Sequence, residues 1–400
     1  MSGLLAGLAE IADTGVDASR GGYSRHLWQA ADLDLREWFI ERATRIGLGV
    51  ETDRNGNLWA WWGSPGPDAV VTGSHLDSVP GGGAYDGPLG VVSALEAVAR
   101  MRDSGFVPSR PVAVVVFAEE EGSRFGVACL GSRLLTGSLD ADRARALVDR
   151  DGITLAEAAD PAGFDPLQLG QDTAALARIG LFIELHVEQG LGLIDLGSPV
   201  AVASSILAHG RWRVTITGQG NHAGATTMTD RRDPMVAAAS AILAVNEAAL
   251  ASPGSRATVG RLEVIPGGTN VIASTVTAWL DARAETDEAT RALVAAIEGR
   301  IHDRLEESGC TATVTEESWS SVLRFDPTLA NGFAGTLGGV PLLSSGAGHD
   351  AGVLAANGVP SAMIFVRNPT GISHSPEEFA EFDDCLAGVD ALETLLRSVL

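Results

Sequence analysis

Short apolar runs and longer amphipathic stretches alternate through the first half of the chain. Runs at 58–62, 69–72, 112–118 and 181–185 predict strands, because brief apolar segments bounded by turn residues suit buried strands. Helical spacing predicts helices over 30–46, 88–104 and 131–136. A last apolar run, 361–366, predicts one more buried strand near the C-terminus. This alternation is that of an α/β sheet with helices on its faces.

The middle of the chain has a different rhythm. Residues 211–217 alternate like a strand, and 234–250 have helical character. Segments 257–264 and 271–282 predict a hairpin around Pro266-Gly267-Gly268. Thr286, followed by Asp287 and Glu288, is placed to cap a helix reaching about Ser308, and 311–316 closes as a strand. The order βαββαβ is that of a ferredoxin-like unit. A small domain over 211–325 is therefore expected as an insertion in a larger α/β domain formed by 1–210 and 326–400.

Composition narrows the function. A net charge of −23 argues against nucleic acid and anionic membrane partners and is compatible with cation binding. The longest candidate membrane run, 235–245, is too short and too rich in alanine to span a bilayer. Glu10 and Asp13 come too early for a signal peptide. All the basic charge is arginine, so catalysis by lysine is excluded. Cys129, Cys310 and Cys385 are far apart and odd in number, which predicts buried thiols in a reducing cytoplasm.

The histidines and acidic residues carry the chemistry. His75, His186 and His374 each follow a predicted strand, Glu119-Glu120-Glu121 follow another, and Asp86 ends a glycine-rich loop. Ligands in open α/β sheets bind beyond the carboxyl ends of strands. Any one of these residues alone is ordinary strand-end or turn chemistry, whereas together they predict a site for zinc, manganese or cobalt. His75 and Asp77, two apart, share a face if extended, so Asp77 is expected to accept a bond from the outer ring nitrogen of His75. The glycines let the chain turn back, and the two oxygens of Asp86 suit bridging of two metals about 3.5–4 Å apart.

Six segments, GSHLDSVPGGGAYDGPLGV, AEEEGSRF, ELHVEQG, GQGNHAGATTM, GAGHDA and GISHSPEE, resemble the M20 metallopeptidase family. They look most like its amidase, hydantoinase and carbamoylase branch, and they span about residues 70 to 380 in matching order. The resemblance implies a zinc-exopeptidase-like catalytic domain, with a mixed sheet and helices on both faces, plus a lid and dimerisation domain. It implies two divalent metals per subunit, with zinc expected and manganese, cobalt or nickel as alternatives. Asp86 would bridge them, His75 and His186 would hold one, and Glu121 and His374 the other. Glu120 would be the general base, and Asp77 is counted with it among the catalytic residues.

In the inserted domain, His222 of the same or the partner subunit would polarise the scissile carbonyl, assisted by Asn270. Arg283 would pair with a substrate carboxylate, with an internal pair to Asp281 on the same strand face as the lesser alternative. Asn270 also suits a turn. Gln189 is a supporting or substrate contact, and His349 supports the ligands or touches substrate. His26, His209 and His302 are assigned structural roles. Ala225, Thr227 and Arg367 depart from the branch's pattern near the expected pocket.

The activity implied is hydrolysis of an N-carbamoyl-L-amino acid to amino acid, ammonia and carbon dioxide by a cytoplasmic homodimer. Allantoate amidohydrolase is the first alternative, followed by an N-acyl-amino acid amidase or dipeptidase. A metal-dependent binding protein of the same fold is disfavoured by the intact Glu120-Glu121 pair. No GxSxG segment supports a serine hydrolase.

Overall fold

The computed structural model describes residues 4–400, which divide into two compact units. One runs up to Ser205 and resumes over Arg324–Leu400; the other is Ile206–Leu323. The first is built on a nine-stranded mixed sheet. At its centre, Val112–Phe117, Ala69–His75, Ile179–Val187 and Ser361–Val366 lie side by side and parallel. Leu58–Trp62 adds antiparallel on one side and Val200–Ile206 on the other. Every residue of Ala69–His75, Val112–Phe117 and Ser361–Val366 is buried, so these strands lack the alternation of a half-exposed sheet and are mostly apolar apart from Thr72, Ser74, His75 and Ser361.

Helices cover both faces. Leu181, Ile183, Leu185 and Val187 join one apolar cluster with helices Pro88–Asp103 and Phe382–Val399. The intervening Glu184 and His186 point the other way, where Ala351 of helix Asp350–Ala356 meets Glu184. One face of this strand is thus pure core, and its opposite face carries polar groups toward the end where the strand stops.

Two strand boundaries differ from expectation in a way that matters. The strand expected over 69–72 continues to His75, and the one expected over 181–185 continues through His186 to Val187. Both histidines are nearly solvent-free and their backbones stay in the ladder, so they are strand residues and not loop residues. Strands Gly49–Thr52, Val200–Ile206 and Leu342–Ser345 were not expected.

The second unit runs strand Ala208–Thr217, helix Pro234–Leu250, strands Arg256–Ile265 and Thr275–Ala284, helix Asp287–Leu305, and strand Thr311–Ser320. Its four strands form an antiparallel sheet in the order last, first, third, second, a ferredoxin-like βαββαβ arrangement. Residues of Thr275–Ala284 alternate strictly between buried and half-buried. Of the buried ones, Val276, Ala278, Leu280 and Ala282, with Trp212, Val214 and Ile216, pack against Ala241, Ala244, Leu293 and Ile297 of the two helices. Thr286 caps the second helix, accepting from the Ala289 amide at 3.1 Å. The expected strand 271–282 is in fact two. Val271–Ile272 pairs with Asn221–His222, and the main sheet strand starts afresh at Thr275.

Candidate metal centre

The parallel strands deliver donors to a common edge. His75 is the last residue of its strand, Glu119-Glu120-Glu121 follow Val112–Phe117, His186 is next to last in Ile179–Val187, and His374 follows Ser361–Val366 after a turn. Asn368 holds that turn. Its Oδ1 accepts from the Thr370 and Gly371 amides at 3.0 Å, and its Nδ2 donates to the Ile372 carbonyl at 2.8 Å. Asp86 arrives on the loop before helix Pro88–Asp103. Gly87, at φ +85°, turns the chain against the His75 ring, where a Cβ would lie 2.4 Å from the imidazole.

Asp86 is the hub. Its Oδ1 lies 3.2 Å from His186 Nε2 and 3.6 Å from His75 Nε2. Its Oδ2 lies 3.4 Å from His374 Nε2, which is 3.3 Å from Glu121 Oε2. Among the described residues, His75, Asp86 and His186 form one group able to hold a cation, and Asp86, Glu121 and His374 another.

The hydrogen-bond pattern tests whether a metal fits. His75 Nδ1 lies 3.1 Å from the Asp77 carbonyl, and His186 Nδ1 lies 2.9 Å from the Val187 carbonyl. A carbonyl only accepts, so Nδ1 carries a proton in each ring and Nε2 is the atom turned toward Asp86, presenting a lone pair whenever the ring is neutral. His75 Nε2 is buried with no hydrogen-bond partner, and it also lies 3.6 Å from Glu120 Oε2. Lone pairs facing carboxylate oxygens repel unless a cation lies between them. Imidazole nitrogen with carboxylate oxygen is the donor set of a divalent transition metal, so the residues fit one.

With no metal bound, the same carboxylates favour protons in that space. Burial alone would push the His75 imidazolium down, yet Glu120, Asp77 and Asp86 outweigh it and hold its pKa well above the usual value. For His186, burial is outweighed by Asp86 and Glu184, which raise it to about 9. Burial works against the Asp86 carboxylate, but His186 and His75 hold its pKa well below normal. Glu120 is pushed up to about 7 by burial, against the pull of His75. Burial and then Asp86 push Glu121 well above normal.

Asp77 makes different bonds from those expected. Its carboxylate accepts from the Glu120 and Glu121 amides, both at 3.1 Å, and its Oδ1 stands 3.6 Å from His75 Nδ1. The short bond to the ring comes from its main-chain carbonyl, because the strand ends there and leaves that oxygen outside the ladder. Gln189 Nε2 donates to Asp86 Oδ2 at 2.8 Å. His349 packs edge-on against His186, with ring centroids 4.7 Å apart, and its Nε2 lies 2.9 Å from Ser345 Oγ. Burial and then the nearby His186 keep it neutral. Glu184 also lies near His186 and His349, but its oxygens are occupied by Ser74 Oγ at 2.8 Å and the Ala351 amide at 2.9 Å.

Sequence reasoning gave three neighbours no role of their own at the site. Cys129 donates its S–H to Glu120 Oε1 at 3.1 Å, and no spacing signal marks it. Glu119 accepts from the Arg124 and Phe125 amides at 2.7 Å and closes its own loop. Glu378 accepts from the Tyr85 and Asp86 amides. Its one sequence signal is its place four residues beyond His374.

Within the second unit, Asn221–His222 pairs with Val271–Ile272, and the Ala223 amide donates to the Asn270 carbonyl at 3.0 Å, which brings His222 and Asn270 together. His222 Nδ1 accepts from the Gly224 and Ala225 amides at 3.0 and 3.1 Å, so its neutral ring carries an exposed Nε2–H donor. Arg283 grips Asp281 through two bonds, at 2.7 and 2.9 Å.

Comparison with known proteins agrees with this geometry. The sequence pattern of peptidase family M20/M25/M40 matches residues 71–398. The chain belongs to that family. It is 38% identical over 391 residues to the N-carbamoyl-L-amino acid amidohydrolase of Geobacillus stearothermophilus, covering 96% of this chain and 95% of that protein. It is 32% identical over 401 residues to the allantoate amidohydrolase of Bacillus subtilis (strain 168), covering 96% and 94%. The crystal structure of an amidase of the hydantoinase/carbamoylase family from Burkholderia vietnamiensis matches with a TM-score of 0.86 at 30% identity, over 98% of this chain and 95% of that one. This M20 hydrolase therefore sits in the amidase, hydantoinase and carbamoylase branch.

The charge arrangement predicts an unusual pH response for the metal-free M20 hydrolase. Glu120 and Glu378 are raised from 4.5 to about 7, Glu119 to about 8, and His186 from 6.5 to about 9. Each binds its proton more tightly folded than unfolded. Its contribution is fully present below the unfolded value and is lost as pH rises through the folded one. Melts in chelator are expected to show Tm falling from about pH 6 to about pH 9, with added divalent metal flattening the fall. A chelated Tm that stays level or rises over that window would refute this charge arrangement.

Proposed function

We propose that this enzyme hydrolyses the linear C–N bond of an N-carbamoyl-L-amino acid. The observation that carries this reading is the near full-length 38% identity to an N-carbamoyl-L-amino acid amidohydrolase, and the donor set around Asp86 supports it. His75 and His186 would hold one divalent metal, Glu121 and His374 a second, with Asp86 near both groups. Zinc is expected, with manganese, cobalt or nickel as alternatives. When bound, the pair brings the pKa of a water toward neutral and polarises the scissile carbonyl.

The protein's own groups handle the proton. Cys129 occupies Glu120 Oε1, which leaves Oε2 to accept the proton of the attacking water. Burial of Glu120 raises its affinity for that proton. Water adds to the ureido carbon, the bond to the amino acid nitrogen breaks, and Glu120 returns the proton to that nitrogen. The carbamate released falls apart to ammonia and carbon dioxide. Asp77, by holding the Glu120 and Glu121 amides, orients base and ligand together. Gln189 steadies Asp86, and His349 backs the His186 ring.

The second unit acts as the lid and dimerisation domain. The His222 Nε2–H, from its own or the partner subunit, donates to the developing oxyanion, and Asn270 assists it. Arg283 exchanges Asp281 for the substrate carboxylate. The enzyme is a cytoplasmic homodimer.

Glu120→Gln is expected to keep the metal content while kcat falls by about 100-fold or more. Near-normal turnover in that variant would remove Glu120 as the base. The substrate is tested by product release from the metal-loaded enzyme with N-carbamoyl-L-amino acids, allantoate, N-acetyl and N-formyl amino acids, and a dipeptide side by side. Carbamoyl amino acids are expected to lead. Preference for allantoate would move the activity to the reaction of the Bacillus relative, and activity confined to acyl substrates or dipeptides would overturn the ureido reading.

A further inference from the structure

Glu378 has no part in the proposed proton transfer, yet it is 95% buried against the loop that carries the shared ligand. Its Oε1 accepts from two successive amides, Tyr85 at 2.9 Å and Asp86 at 3.0 Å, across 292 residues of sequence. Its Oε2 lies 3.2 Å from Ser373 Oγ, which also lies 2.9 Å from Asp86 Oδ2. The single Ser373 proton is therefore shared between the two carboxylates. Ser373 is the residue before His374. One carboxylate thus joins the Asp86 loop to the His374 loop, through the backbone of the first and the side chain next to the ligand of the second.

The glycine cluster in the Asp86 loop has a matching gap. A Cβ on Gly83 would lie 2.3 Å from Glu378 Oε1 and 2.4 Å from its Cβ and Cδ. Gly83 has no left-handed φ to explain it, so the space it leaves is what its smallness provides. The Tyr85 ring meets Phe379 edge-on at 6.3 Å and closes the same contact from the apolar side.

We propose that Glu378 is a positioning residue that sets Asp86 between the two ligand groups, and that Gly83 is glycine to admit it. The carboxylate fixes the Asp86 backbone by accepting its N–H. The Ser373 hydroxyl fixes one of the two Asp86 oxygens. The remaining freedom of Asp86 is rotation within the space bounded by His75, His186 and His374. This proposal rests on the reading of Asp86 as a shared metal ligand.

The test is zinc affinity, measured by competition with a chromogenic chelator on the full chain, beside urea unfolding of the zinc-free proteins. Glu378→Ala is expected to weaken zinc binding about 10- to 100-fold, as loss of a residue orienting a ligand does. Glu378→Gln keeps an acceptor for both amides and is expected to stay within about tenfold of wild type. Gly83→Ala displaces the Glu378 carboxylate from outside and is expected to match the Glu378→Ala loss even if that variant folds poorly. Glu377→Ala, at an exposed neighbour that bonds only within its own turn to Ser375, is expected to change nothing. Wild-type zinc affinity in Glu378→Ala or in Gly83→Ala would overturn the proposal. So would Glu378→Gln as weak as Glu378→Ala, since charge and not hydrogen-bond acceptance would then be at work. Wild-type protein that binds no zinc at all would instead remove the shared-ligand reading, and this proposal with it.

Discussion

Two imidazole lone pairs and a third histidine converge on one carboxylate, and the rest of the site is arranged to make that convergence tolerable. Asp86 offers one oxygen to His75 and His186 and the other to His374. The Nδ1 protons of His75 and His186 are committed to main-chain carbonyls, so neither ring can turn a proton toward Asp86 without becoming charged. Protons or metal ions must fill that space. The folded chain has made the choice sharp by burying the groups, since low dielectric raises the cost of leaving such charges unbalanced.

The scaffold meets this demand with backbone as much as with side chains. Adjacent parallel strands place His75 and His186 at fixed spacing, with the core on one face and the polar residues on the other. The Asp77 carboxylate holds two amides after the neighbouring strand, and that aims Glu120 and Glu121 from one anchor. Asn368 does the same for the turn before His374. These anchors are short polar side chains that accept from backbone N–H groups, so each loop is fixed by bonds it would otherwise have to satisfy with water. The M20 chemistry then needs few moving parts within this unit. Within the second unit, His222 presents an exposed Nε2–H and Arg283 is held by Asp281.

The candidate ligands His75, Glu120, Glu121 and His186 were legible because they sit at or just past the end of an apolar run, where an acidic or imidazole residue has little core to join, whereas Asp86 was marked by the glycine loop before it and His374 by its place beyond the last strand. The strand ends themselves were misplaced, because His75 and His186 are polar in sequence but buried and laddered in the fold. Asp77 was correctly tied to its neighbourhood, but spacing cannot distinguish a carbonyl from a carboxylate as the acceptor of a ring proton. The break between Val271–Ile272 and Thr275–Ala284 escaped the pattern because both pieces are apolar and nearly continuous. The contacts of Cys129 and Glu378 were not readable for a different reason. Their partners are fixed by tertiary contact, across 9 and 292 residues, and neither residue type has a spacing rule that announces it.

The central claim is that one carboxylate serves two metal ions. It is tested most directly by the metal-to-protein ratio, measured by plasma mass spectrometry, of wild type, His374→Ala and Asp86→Ala after identical loading and desalting. Two ions per chain in wild type, one in His374→Ala and none in Asp86→Ala is the predicted pattern. A single ion in wild type, or one ion retained by Asp86→Ala, would contradict the account.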